Sequence, residues 1–310
     1  MLPSLGRHVA ASPCIVSSPR ITRMRHPSTP HHTRRPMIQV IISPAKQMTV
    51  DNDAFAPRGI PPFPAHTERV VRALNDIERT QGTAGLKALW GVSDKLLAEN
   101  VERLHGFSHI SGAEQLAQPQ VSRLLSPAIF SYVGIQYSSM APEVLDERAL
   151  DWLQDHLWVL SALYGCVLPL DAVQPYRLEM GAKLAVDGAR NLYAFWDDAL
   201  ARVICGQGDA GGGETAVVNL ASAEYAKAVL PHLDEQTPVV TCVFSSSLRN
   251  GKPMQKSTES KTARGSMVRW MAEHGVESPE ELKRFDVGFR FDAGFSTEDG
   301  PRKTFVFMRG

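Results

Sequence analysis

The sequence predicts an α/β fold, a single mixed-sheet domain with surrounding helices over residues 37–310. Three observations predict it. Short apolar runs at 38–43, 158–163, 215–220 and 239–245 have the length of buried strands, and amphipathic helical patterns lie between them. A content of 43% apolar and 21% charged residues over 310 positions supplies a large core. No internal repeat and no second linker divides the chain.

Taken in order, residues 1–36 hold six arginines, six prolines, five serines and no acid, without apolar periodicity, and are expected to be a disordered basic N-terminal extension. They fit either an organellar transit peptide or sequence upstream of a start at Met37. The second fits better, because a strand begins directly after Met37 and no amphipathic helix precedes it. The run 38–43 reads as a buried strand ended by Pro44, and the proline-rich stretch 57–64 as a linker. Residues 67–79 place Val70, Val71, Leu74 and Ile77 on one helix face. Two further helical segments follow at 86–90 and 94–104, the second with Ser93 as N-cap and Gly106 past its end. A helix at 146–157 lies between expected strands at 128–133 and 158–163. Residues 191–205 read as helix, 206–213 as a glycine-rich loop, 215–220 as strand, and Ser222 as the cap of another helix. Asn250-Gly251 is a tight hairpin turn after the strand 239–245. A helix over 258–274 stops at Gly275, Ser278-Pro279-Glu280-Glu281 opens a short one as a capping box, and 285–295 pairs with 303–308 as a closing hairpin.

Charge and cysteine usage bound the function. Lys+Arg and Asp+Glu both total 33, but without the leader 27 cations face 33 acids, a net of −6. Any nucleic-acid contact must then come from a local basic patch. Cys14, Cys166, Cys205 and Cys242 are far apart with no CxxC pair, which fits reduced cytosolic thiols and offers no zinc knuckle. No apolar run approaches the ~18 residues of a membrane span. No cofactor motif is found, and no metal site is expected. Of the histidines at 66, 105, 109, 156, 232 and 274, only His105 and His109 stand at i, i+4, with Gly106 between them.

Three features carry chemistry. The first is Leu86-x-x-Leu89-Trp90-Gly91-Val92-Ser93-Asp94-Lys95, two helices around a tight turn, which resembles a helix-hairpin-helix DNA-binding motif. A tight turn at a helix N-terminus aims unpaired backbone N–H groups outward, where phosphate oxygens accept them whatever the base. Gly91, Val92, Ser93 and Lys95 are the candidate contacts. Trp90 stands where the motif usually has proline, and Ser93 where it has a second glycine. Two core helices joined by an ordinary capped turn would give the same pattern. In glycosylases built on this motif a lysine at the offset of Lys95 forms a Schiff base, with an aspartate one helix later. The nearest candidate one helix later is Glu114, so the catalytic pair is incomplete and phosphate contact is favoured over catalysis.

The second feature is a set of polar residues at strand ends, where ligands bind in α/β proteins. Lys46, Tyr176, Arg177, Glu179, Asn219 and Tyr225 could line one cleft that takes a small molecule. The cations would hold phosphate, the tyrosines would stack on a base, and Glu179 would act as a base or orient a cation. Alternatively Arg177 and Glu179 form an internal ion pair and Asn219 is a satisfied core amide. The third feature is the stretch 249–269, with six cations against Glu259. Lys261 and Arg264 share a helix face as candidate DNA contacts, and Gly265 inside that helix suggests close approach to its backbone.

Ile42-Ser43-Pro44-Ala45-Lys46, Ser93-Asp94-Lys95-Leu96, Ala162-Leu163-Tyr164-Gly165, Pro169-Leu170-Asp171, Gln174-Pro175-Tyr176-Arg177-Leu178-Glu179-Met180-Gly181, Leu192-Tyr193-x-Phe195-Trp196, Asn219-Leu220-Ala221-Ser222-x-Glu224-Tyr225 and Lys261-x-Ala263-Arg264-Gly265 together resemble the YaaA peroxide-stress-resistance family, in the right order from Met37 to about Phe307. The resemblance implies a cytoplasmic protein that helps cells survive hydrogen peroxide by keeping unincorporated iron low. It also implies an unusual, cantaloupe-like fold with a positively charged cleft and a helix-hairpin-helix element that binds duplex DNA. Cys166 and Leu168 lie where some relatives carry an arginine before Pro-Leu-Asp, which removes one cleft cation. Two functions are expected from different classes: a non-enzymatic stress protein that grips double-stranded DNA largely without regard to sequence, or a nucleobase- or DNA-processing enzyme using Lys95 or Glu179.

Overall fold

The computed structural model describes residues 38–51, 55–206 and 215–310. The leader at 1–36 and all but the first residue of the expected glycine-rich loop lie outside the described residues. Seven strands build the main sheet: β1 (Ile38–Ile42), β2 (Leu157–Ser161), β3 (Gly165–Val167), β4 (Ala216–Asn219), β5 (Val239–Ser245), β6 (Phe289–Phe291) and β7 (Arg302–Arg309), in spatial order β6-β7-β5-β4-β1-β2-β3. The central strands β7, β5, β4, β1 and β2 are mutually parallel, and β6 and β3 pair antiparallel at the two edges. The expected α/β class with a mixed sheet is therefore what the chain forms.

Parallel strands are covered on both faces, so they read as near-continuous apolar runs rather than alternating ones. All five residues of β1, including Gln39, are buried. Gln39 is tolerated there because its Oε1 accepts from Trp158 Nε1 at 2.6 Å. His156 is likewise buried and satisfied, with Nδ1 2.9 Å from the Ile38 carbonyl and its ring stacked on Trp152.

The helices that matter for the site are α1 (Pro64–Trp90), α2 (Asp94–His105), α3 (Ile135–Met140), α4 (Glu147–His156) and α5 (Ser257–His274). The two segments expected at 67–79 and 86–90 run together as α1, with a break at Gly82, whose φ of 67° is left-handed. Asp146 caps α4 by accepting from the Ala149 N–H at 2.8 Å. Gly275 ends α5 in the left-handed conformation, and Asn250 and Gly251 both have positive φ in the hairpin between Ser247–Arg249 and Lys252–Met254, as a primed turn requires.

Two expectations need correction. Residues 128–133 are not one strand: Ala128–Ser131 is a helical turn, Tyr132–Val133 a short strand, and α3 follows. That run is buried on nearly every side, so periodicity could not separate strand from helix, and loop carbonyls of Asp171 and Pro169 bind the Ala128 and Ile129 amides instead of a sheet partner. The helix expected over 191–205 is two, Leu192–Trp196 and Ala199–Ile204, because Asp197 adopts a left-handed φ of 44°.

Candidate functional site

The chain leaves β1 toward β2 on one side of the sheet and leaves β4 toward β5 on the other. The carboxyl ends of β1 and β4 are therefore the topological switch point, where open α/β sheets leave a crevice. Ser43 and Ser222 sit there. The Ser222 amide donates to Ser43 Oγ at 2.8 Å, and the two hydroxyls are 3.2 Å apart. The Ser43 carbonyl accepts from Gln136 Nε2 at 3.2 Å and from Tyr137 OH at 3.1 Å, so α3 fixes the end of β1. α3 is itself held by α5: at Gly265 an added Cβ would lie 2.0 Å from the Gln136 carbonyl oxygen. The close approach expected from this glycine is the α3 backbone.

Beside the switch point the strand-end residues converge. Glu179 Oε1 is shared by Lys46 Nζ at 2.9 Å and Arg177 Nη2 at 2.7 Å. Arg177 also donates from Nη1 to the Lys46 carbonyl at 3.2 Å, and its Nη2 lies 3.5 Å from the Trp90 carbonyl. Its side chain is 11% exposed, whereas that of Lys46 is 67% exposed. Tyr176 OH is 2.7 Å from Ser161 Oγ and 3.3 Å from Tyr132 OH, and Tyr164 OH donates to the Gln174 carbonyl at 3.3 Å. Tyr225 lies within electrostatic reach of Tyr176 and Glu179.

Burial, more than any neighbouring charge, raises the phenol pKa of Tyr132, Tyr137, Tyr164, Tyr176 and Tyr225; for Tyr176 the hydroxyls of Ser161 and Tyr132 and the Arg177 charge oppose the rise. These phenols are neutral hydrogen-bonding groups at physiological pH. Four of them are under 7% exposed and Tyr176 is half-buried, so they are no open stacking platform: Tyr132, Tyr176 and Ser161 link hydroxyl to hydroxyl, while Tyr137 and Tyr164 bond the backbone carbonyls of Ser43 and Gln174. Asn219 is 5% exposed; its Nδ2 donates to Thr241 Oγ1 and its Oδ1 accepts from the Ala221 amide, which matches the structural alternative for this residue.

The bend between α1 and α2 lies against this cluster, since the Trp90 carbonyl that Arg177 approaches belongs to the last residue of α1. Gly91 is left-handed (φ 57°, ψ 44°) and its N–H closes on the Lys87 carbonyl at 2.9 Å. Val92 is buried and anchors the bend, whereas Gly91, Ser93, Asp94 and Lys95 are exposed. Ser93 is the extended N-cap residue of α2, but its hydroxyl makes no capping bond. The first-turn amides of α2 thus face outward without a side-chain acceptor. One acid tempers this: Asp94 pairs with Lys87 at 2.5 Å.

The third feature divides. Lys261 is exposed on α5, while Arg264 is half-buried, with its pKa lowered by burial, its charge beside Cys242, and its Nε without a partner. The two therefore do not present one open face. Lys256 and Arg269 are paired with Glu259 and Glu273. The histidines are dispersed: His105 and His109 face Glu78 and Glu68, His232 faces Asp197, and His274 Nδ1 lies 2.8 Å from the Trp270 backbone carbonyl. Among the described residues no group of three or more His, Cys, Asp or Glu side chains is placed to hold a metal ion.

Sequence reasoning missed Tyr132, Tyr137, Gln136 and Ser161, which complete the hydroxyl network and the clamp on β1. Tyr132 and Ser161 lay in runs expected to be plain strands, and Gln136 and Tyr137 in a stretch assigned no element, so only the polar tips of the two tyrosines could have marked them.

A family model for the peroxide stress protein YaaA matches residues 38–294. The chain is 40% identical over 263 residues to a UPF0246 protein of Pediococcus pentosaceus, covering 84% of this chain and 96% of that one. It is 37% identical over 273 residues to UPF0246 protein DSY0297 of Desulfitobacterium hafniense (88% and 98% covered) and 38% identical over 272 residues to a UPF0246 protein of Lactiplantibacillus plantarum (87% and 99% covered). The matched region holds every strand of the sheet except β7, the switch point, the ion cluster and the bend, and on that extent of agreement the chain belongs to the YaaA peroxide stress protein family.

Proposed function

We propose that this protein binds double-stranded DNA largely independently of sequence, as a cytoplasmic, non-enzymatic part of the peroxide stress response, with the α1–α2 bend acting as a helix-hairpin-helix element. The observation that carries the reading is the exposed Gly91–Ser93–Lys95 bend, with uncapped α2 amides, joined through Arg177 to the Lys46 side of the cleft. Amides at a helix N-terminus and nearby cations are donors suited to phosphate oxygens and indifferent to base identity. Phosphates of duplex DNA also collect cations, and a protein that occupies them releases those cations. Displacing unincorporated iron from the backbone would move peroxide-driven radical chemistry away from DNA, which links such binding to the limitation of iron damage.

Thiol chemistry at Cys205 and Cys242 is a poor alternative route to peroxide. Burial pushes the Cys242 thiol up to about 12 and that of Cys205 up to about 11, so both are protonated and weakly nucleophilic. The DNA-processing alternative rests on Lys95, which is exposed rather than enclosed, and on Glu179, whose Oε1 already serves two cations.

The test is a fluorescence-anisotropy titration of a labelled duplex at several salt concentrations, with wild type and Lys95→Ala. The reading expects affinity to fall linearly on a log–log plot, by a slope of about −0.9 per phosphate contact, and the slope to shrink by about one in the variant. Binding that ignores salt would reject it. Borohydride trapping on abasic DNA through Lys95 would instead favour the processing enzyme.

A further inference from the structure

Lys46, Arg177 and Glu179 form a cluster with two cations on one carboxylate oxygen, a net charge of +1 at the edge of the switch-point crevice. One donor of the cluster itself has no acceptor, Arg177 Nε, and the buried Trp90 whose carbonyl Arg177 approaches has an unpartnered Nε1 as well. Buried donors are normally paired, and a guanidinium that turns one edge to a carboxylate while its Nε stays empty has donor capacity left for a second oxyanion. A terminal phosphate or pyrophosphate offers more acceptor oxygens than a carboxylate and carries more charge, and a duplex strand presents a series of phosphodiesters in place of one carboxylate, so phosphate is the ligand that would use both cations and the vacant donor together. Lys46, at 67% exposure, swings freely enough to exchange partners.

We propose that Lys46 and Arg177 are a phosphate subsite and that Glu179 is its built-in competitor, occupying both cations until a phosphate group displaces it. Arg177 is the residue that aligns this subsite with the bend: Nη2 lies 2.7 Å from Glu179 and 3.5 Å from the terminal carbonyl of α1, so a phosphate taken up by Arg177 sits one residue from Gly91. The carboxylate also discriminates, because only a ligand that binds both cations at once overcomes it. The phosphate is either one in a duplex backbone, which rests on the function proposed above, or one on a free small molecule, and the two arms of the experiment separate these sources.

In the first arm, duplex binding is measured across salt for wild type, Glu179→Gln, Lys46→Ala, the double variant, and Glu235→Gln as a control for general loss of negative charge. Glu235 is exposed just before β5, at the amino end of the sheet away from the crevice. Glu179→Gln is expected to tighten binding at least threefold and to steepen the salt slope, and Lys46→Ala to reduce the slope by about one. In the Lys46→Ala background the gain from Glu179→Gln should fall by half or more, and Glu235→Gln should leave the slope unchanged. The second arm follows the thermal midpoint in inorganic pyrophosphate, which should raise it more in Glu179→Gln than in wild type.

A wild type that binds duplex while Glu179→Gln neither gains affinity nor steepens the slope overturns the competitor. A gain that survives intact without Lys46 does the same. Failure of wild type to bind duplex at any salt would remove the DNA function alone; the pyrophosphate arm then decides, a larger shift in Glu179→Gln supporting a small-molecule phosphate site and no shift in either protein overturning the subsite. Should Glu179→Gln not fold, Lys46→Ala in both arms keeps the decision, since an exposed lysine can be truncated without disturbing the core, and an unchanged salt slope together with an unchanged pyrophosphate shift overturns the proposal.

Discussion

Gly265→Ala tests how packing on the far side of the sheet end controls the site. An ideal Cβ at position 265 would lie 2.0 Å from the Gln136 carbonyl oxygen and 3.0 Å from Ser139 Cβ. Ordinary C···O contacts are about 3.3–3.6 Å, so α3 and α5 must part by more than 1 Å. A gap of about that size forfeits a quarter to a half of each atom-pair attraction across the interface. Overpacking usually costs about 1–3 kcal/mol, and the upper end applies because the obstructing atom is backbone and cannot rotate away. Better helix propensity returns about 1 kcal/mol, leaving a net loss of about 2 kcal/mol. At roughly 2–4 °C per kcal/mol for a domain of this size, the thermal midpoint should fall by about 4–8 °C. The displaced helix carries Gln136 and Tyr137, which hold the Ser43 carbonyl, so duplex affinity measured well below the midpoint should fall as well. Differential scanning fluorimetry with Thr262→Ala as an exposed control on the same helix is sufficient. A midpoint for Gly265→Ala equal to or above wild type would refute the packing argument, because that is the outcome for a glycine in open space.

Four further outcomes are expected. His156 has its pKa lowered, chiefly by burial, so the unfolded chain binds more protons as pH drops; stability contributed by the neutral ring is complete above about 6.5 and is lost as pH falls through the lower folded value. Urea midpoints between pH 7 and 5 should therefore decline more steeply in wild type than in His156→Gln. Ellman's reagent should label Cys242 and Cys205 of the Cys14→Ser protein slowly until guanidinium unfolds it; rapid native labelling would contradict their burial and raised pKa. Asp94→Asn removes the acid at the exposed α2 N-terminus and frees Lys87, so duplex affinity should rise at low salt and the gain should shrink at high salt, as an anisotropy titration will show. Asp146→Ala deletes the cap on the Ala149 amide and should cost about 1 kcal/mol in a denaturant titration.

The sheet was legible in the sequence because central parallel strands must be apolar on both faces, and 38–43, 158–163, 215–220 and 239–245 each land on one. Caps and turns were legible where a single residue dictates the backbone: Ala141, Asp187 and Asp197 excepted, the positive-φ positions, Gly91, Gly275 and Asn250-Gly251 among them, fall where glycine or asparagine stands. The segment 126–140 was not, because its geometry is set by carbonyls of residues 169 and 171 and by contact with Gly265, partners far away in sequence. In the cleft, residue identity announced Lys46, Arg177 and Glu179, but not that one carboxylate oxygen serves both cations. Nor could the sequence show that Arg177 turns back to the Trp90 carbonyl, which joins two motifs 87 positions apart.

Under the proposed function, that junction is how a mildly acidic domain would address a polyanion. Bulk charge does not attract DNA here, and three of the six cations in the 249–269 stretch, Lys256, Arg269 and Arg264, are paired or drawn inward, leaving Arg249, Lys252 and Lys261 exposed. At the bend the donors are local: the first-turn amides of α2, Lys95, and two cations that share one acid beside them. Encounter should then owe little to long-range steering, and affinity should depend on short-range donors meeting phosphate in a fixed arrangement. Removing a distant surface acid such as Glu235 should barely change the association rate or the salt slope, whereas Lys46→Ala should act mainly on dissociation. Stopped-flow mixing with a labelled duplex separates the two, and an association rate that rises strongly with Glu235→Gln would show that the whole-domain field, rather than the geometry at the bend, governs binding.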